Sequence, residues 1–179
     1  MKLATVMKQR MQATEGDIDA IKKLCSAQQE LGIIGDEVQL MGAQQIATFI
    51  ENRQTLETLI PAMNNLVAQQ RGFNATAGDA VSIANLMGKA MQGQADVLKR
   101  VGITFNAAQE QVLKYGTESE RAAVLAEVIT LNVGNINAEL RNTDAGQAKA
   151  MANAFGDTSS PTCGAASFPP ASATAYRST

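Results

Sequence analysis

Glycines at positions 32, 35, 72, 93, 102 and 116 cut this chain into short lengths, and between them apolar residues recur at steps of three and four. A glycine inside a helix costs about 1 kcal/mol relative to alanine and is a favoured residue just past a helix end. The pattern therefore predicts short amphipathic helices that fold back on one another. Aliphatic and polar residues nowhere alternate for long between turn residues, so no strand signal competes. The expected fold class is all-α: a compact bundle of about six to eight short helices over residues 1–157.

From the N-terminus, Met7, Met11, Thr14, Ile18, Ile21 and Cys25 form a heptad-like stripe, which reads either as a short coiled-coil seam or as a helix pinned to a core. Asp19 and Lys23 are spaced for an i to i+4 pair. After Gly32 and Gly35 a helix restarts at Asp36 and Glu37, where negative charge suits a helix N-terminus, with Val38, Met41, Ile46, Phe49 and Ile50 on one face. Leu56, Leu59, Ile60, Met63, Leu66 and Val67 make the next stripe, and Pro61 within it is expected to kink the helix or begin a new one. Val81, Ile83, Leu86, Met87, Ala90 and Met91 follow, with a stop at Gly93 and a short piece ending at Gly102. Asn106 with Gln109, and Thr117 with Glu120, are spaced as capping boxes, and Glu110 is placed to pair with Lys114. Leu125, Val128 and Ile129 face inward, and the last helical pieces carry Leu140, Met151 and Phe155.

Several kinds of chemistry are missing. Histidine does not occur, which removes imidazole catalysis, His-assisted nucleophiles and His metal sites together. The Gly88–Lys89 pair in "MGKAMQG" has neither the upstream glycine nor the following Ser or Thr of a phosphate loop. The acidic pairs Asp36/Glu37 and Glu118/Glu120 each open a helix, so helix-end electrostatics account for them better than acid–base catalysis. Met41, Met63, Met87, Met91 and Met151 read as core at helical spacing, against the alternative of an adaptable binding groove. The "NAT" triplet at Asn74 fits a glycosylation acceptor, but no secretory signal accompanies it. Cys25 reads as a small buried hydrophobe, and Cys25 and Cys163 have no metal-ligand spacing. Net charge is −2, with no basic block and no aromatic-plus-Arg cluster, so no nucleic-acid partner is expected. No apolar run reaches the length of a membrane span, so no membrane contact is expected either. No catalytic, cofactor-binding or metal-binding residue is expected, and no enzymatic activity.

The runs "LCSAQQELGIIGDEVQLMGAQQIATFI", "LIPAMNNLVAQQRGFNATAGDAVSIANLMGKAMQGQ", "LKRVGITFNAAQEQVLKYGTESERAAVLAEVI" and "TDAGQAKAMANAFGD" closely resemble an N-terminal region of tail tape measure proteins from bacteriophages and prophages. The resemblance spans about Ile21 to Asp157, with residues 1–20 as a helical lead-in. It implies a structural role, in which copies lie in the tail lumen, tail-tube subunits polymerise around them, and protein length sets tail length. The implied partners are tail-tube and other tail proteins and further copies of the chain. The implied location is the virion tail lumen, and the host bacterial cytoplasm during assembly. No catalytic residues come with this part of the family. A straight rod of 157 helical residues would extend about 235 Å at roughly 1.5 Å per residue. The glycines argue instead for a folded assembly handle. A helical adaptor or regulatory module of bacterial origin, binding a partner helix in a Met-lined groove, is the alternative.

Where tape measure proteins usually continue an aliphatic and charged pattern, this chain reads "FGDTSSP" and goes on in Ser, Thr, Ala and Pro to residue 179. Residues 158–179 are expected to be a disordered tail, read out of frame from a truncated gene, with a flexible linker as the alternative. Pro161, Pro169 and Pro170 oppose a helix there, and few large apolar side chains remain to offset the ordering cost.

Overall fold

A computed structural model of the chain describes the backbone of residues 2–159 and the side chains of residues 2–156. These residues form nine α-helices: α1 (Leu3–Met11), α2 (Glu15–Leu31), α3 (Asp36–Ile46), α4 (Arg53–Arg71), α5 (Ala77–Met91), α6 (Ala107–Tyr115), α7 (Glu118–Val133), α8 (Ile136–Arg141) and α9 (Asp144–Ser159). Short 3-10 segments at Gly72–Asn74 and Ala95–Val101 complete the helical structure, and no strand occurs among the described residues. α9 runs two residues into the segment expected to be a tail. Residues 160–179, with Cys163 and the rest of that segment, lie outside the described residues.

The first stripe divides into two helices. Gln12 takes a left-handed conformation (φ 51°) and ends α1, and the Thr14 side chain then accepts from the Asp17 amide to start α2. This division accounts for part of the excess over six to eight helices. Among the described residues four capping boxes are formed, at Thr14/Asp17, Thr76/Asp79, Asn106/Gln109 and Thr117/Glu120. The first two use aspartate at the third helical position, where glutamate or glutamine is the usual sequence signal. Gly72, Gly93, Gly102 and Gly134 have positive φ, and the last three follow a helical segment into a loop.

α4 is the central helix. Leu56, Leu59, Ile60, Met63, Leu66 and Val67 are fully buried, as their stripe predicts. Around them α4 packs against α7, α5, α3 and α8. Pro61 lies inside α4 and does not begin a new helix, because the continuous burial of residues 62–68 holds both halves in one core. α3 and α5 form the most extensive helix pair. Their contact runs through small residues: a side chain at Gly42 would overlap the Met63 thioether and crowd the Ala80 methyl.

That close approach sets α3 differently from its expected apolar face. Gln39, Gly42, Ala43 and Ile46 turn inward, Met41 is 42% exposed, and Phe49 and Ile50 lie beyond the helix end. The Phe49 ring instead covers Gly88 on α5, where any β-carbon would collide with it. Asp19 pairs with Lys22 at 3.2 Å rather than with Lys23. Glu110 and Lys114 form no ion pair within 4 Å, although their helix is as expected. α1 buries Val6 and Met7 in the same core as α2 and α4.

Candidate interaction surface

The carboxylates weighed as acid–base pairs serve helix ends. Glu118 accepts from the Glu51 amide at 2.8 Å and the Asn52 amide at 3.0 Å, tying the start of α7 to that of α4. Glu120 accepts from the Thr117 amide at 2.8 Å and hydroxyl at 2.9 Å, which holds its carboxyl below the usual range. Asp36 accepts from the Ser26 hydroxyl at 3.4 Å, and its amide donates to Gln29 Oε1 at 2.6 Å. The Cys25 thiol is fully buried, and burial, helped by the nearby Asp36 charge, pushes its pKa up to about 12. A thiol so placed is a poor nucleophile, because the thiolate is the reactive form. Among the described residues, no group of three or more His, Cys, Asp or Glu could hold a metal ion. None of the described helices is long and apolar enough to cross a membrane.

The methionines divide between inside and outside. Met63, Met87 and Met91 are core, whereas Met41 and Met151 are exposed at 42% and 61%. Phe155, on the last helix, is 69% exposed. Among the described side chains of α9 there is no interior apolar stripe; the helix meets α8 through Gly146, whose missing side chain lets it lie against the Leu140 carbonyl. Asn153 Nδ2 donates to the Ile33 carbonyl at 3.2 Å, so α9 also rests on the turn after α2.

A buried polar seam links distant parts of the chain. Asn137 Oδ1 accepts from the Ile33 and Ile34 amides at 2.9 and 3.3 Å, and the Asn137 amide donates to Asn65 Oδ1 at 3.2 Å. Gln39 Nε2 donates to the Ile34 carbonyl and Asn64 Nδ2 donates to Gln39 Oε1, each at 2.8 Å. The buried amides of the Gly32–Gly35 turn thus find side-chain partners on α8, as buried backbone groups require. The adjacent asparagines within the apolar stripe of α4 are the trace this seam leaves in the sequence.

Two surface depressions contrast in chemistry. Arg10, Glu51, Gln92, Glu118 and Arg121 line a polar recess, where Arg121 Nη1 donates to the Met91 carbonyl at 2.7 Å and so caps the end of α5. An apolar groove of about 710 Å³ lies along the outer face of α3, bounded by Leu3, Ala4, Val38, Leu40, Met41 and Ala77, with Lys2, Lys22 and Glu37 at its edges. Such a groove suits binding of another apolar surface.

No family model, curated protein or solved structure matches the chain.

Proposed function

We propose that residues 21–157 are the folded head region of a phage tail tape measure protein, a structural component that acts through contacts with tail-tube and other tail proteins. The ordered series of phrases from Ile21 to Asp157 that resembles this family carries the reading. The closing of the chain by Asn137 on α8 onto residues 33, 34 and 65 supports a handle over an extended ruler. On this reading the protein works in the host cytoplasm during assembly and then in the tail lumen, and it catalyses no reaction.

The test is to delete the corresponding region from an intact tape measure gene of a related prophage and image the particles. Failed or aberrant tail assembly is the expected result, restored by supplying residues 21–157 in frame. Normal tails of proportionally shorter length would make the segment part of the ruler only. Normal tails of unchanged length would overturn the proposal.

A further inference from the structure

We propose that α1 is an exchangeable strap, which leaves its own core and fills the same place in a second copy of this chain, giving a domain-swapped dimer. The partner follows from the surface itself: the site that buries Val6 and Met7 is shaped to α1, so a second α1 reproduces its contacts. The exchange goes beyond the tail-assembly reading and does not depend on it.

The hinge between α1 and α2 consists of Gln12 and Ala13, with Thr14 already capping α2. Among the described residues Gln12 is the only non-glycine with positive φ, at 51°, a conformation that its β-carbon disfavours. The reversal is closed by the Gln12 and Ala13 amides, both donating to the Met7 carbonyl. Relaxing Gln12 to the right-handed region, together with Ala13, would join α1 and α2 into one helix over residues 3–31, about 43 Å long. The sequence stripe is in register for that helix: Met7, Met11, Thr14, Ile18, Ile21 and Cys25 keep alternating steps of four and three straight through the hinge. Both halves of a joined helix would therefore present their apolar side in one direction, α2 to its own core and α1 to that of the neighbour. Two such helices lie antiparallel across the pair of cores, as a two-fold dimer requires.

Two-fold symmetry re-forms between copies the contacts that α1 makes within one. Val6 and Met7 are buried again, Lys8 meets Glu15, and Arg10 meets Glu51, which lies 3.7 Å away within one chain. The hinge alone distinguishes the two forms. The folded-back form keeps the Thr14/Asp17 capping box, and the joined form relieves Gln12 and pairs the amides of residues 12–15 within a helix. With opposing terms confined to so few residues, protein concentration decides between them. A nine-residue helix is too short to persist undocked, so α1 is exchanged between copies rather than left free.

The experiment uses the full chain under reducing conditions, warmed to just below its melting temperature at about 1 mM and cooled, beside the same protein at about 10 μM. Size-exclusion chromatography with light scattering is expected to give a dimer from the first and a monomer from the second. In the dimer the carbon-13 shifts of Gln12 and Ala13 should be helical, whereas in the monomer Gln12 keeps its left-handed signature. Gln12→Gly removes the β-carbon that disfavours the turn and weakens the joined helix, so the association constant should fall about tenfold per hinge and about a hundredfold per dimer. Thr14→Ala removes a cap used only by the folded-back form and should raise the constant at least about tenfold. Both positions are exposed, so both variants should keep the monomer fold by circular dichroism. A chain that stays monomeric at about 1 mM even as Thr14→Ala would overturn the proposal. So would a dimer in which Gln12 remains left-handed, which would mark side-by-side association, or a dimer whose formation Gln12→Gly leaves unchanged.

Discussion

Gly32 shows how one missing side chain can hold a turn together. Its backbone is extended, so no left-handed conformation demands glycine; the requirement is space, because a β-carbon would overlap the Asn137 carboxamide. That carboxamide accepts from two buried amides, of Ile33 and Ile34. Gly32→Ala should therefore displace Asn137 and leave both donors unpaired, costing about 2–4 kcal/mol. Asn137→Ala should cost a similar amount for the same reason. The double variant should cost little more than either single one, since both act on the same two hydrogen bonds. Urea unfolding of the four proteins measures the coupling, and additive losses would separate the two sites.

At the scale of the element, the capping boxes differ in one testable respect. Those of α2, α5 and α7 end in carboxylates, whereas that of α6 uses the amides of Asn106 and Gln109. Asp17 and Asp79 are held below the ordinary carboxylate range chiefly by the Thr14 and Thr76 hydroxyls, with the threonine amides and nearby Arg53 and Arg71 adding to it. For Glu120 the Thr117 amide leads and its hydroxyl follows. A carboxyl whose pKa is depressed on folding stabilises the folded state above its unfolded pKa, about 4, and loses that contribution as pH falls through the folded value. Below about pH 4 the first turns of α2, α5 and α7 should thus lose protection before that of α6, whose box does not titrate. Hydrogen exchange corrected for intrinsic rates would show the order, and simultaneous loss at α6 would contradict it.

Across the whole molecule, the core is continuous from α1 to α7. Met7 is as fully buried as Met63 of the central helix, although it comes from a nine-residue helix at one end of the chain. Met7→Ala should accordingly cost about 2–5 kcal/mol, in the range expected for Met63→Ala, and the variant should still unfold in one cooperative step. A cost under about 0.5 kcal/mol would mean that α1 is an appendage and not a wall of the core. The groove along α3 depends on this wall, since Leu3 and Ala4 form part of its lining.

The sequence by itself determined the fold class and most helix ends, because caps, glycine stops and the 3.6-residue period act over a few neighbouring residues. The stripe on α4 and the ends at Gly93, Gly102 and Gly116 were legible for that reason. Burial of Leu125, Val128 and Ile129 was legible for the same reason. Only the tertiary structure decided which way α3 faces. That helix has apolar residues on two sides, and close approach to α5 favours the small Gly42 and Ala43 over the larger Met41. The candidate groove is a consequence of that choice, so no local pattern announced it. The seam through Gln39, Asn64, Asn65 and Asn137 was hidden for a related reason: apart from the local bond of Gln39 to Ile34, its partners lie between 25 and 104 residues apart, and a buried amide is specified by what it meets across the core.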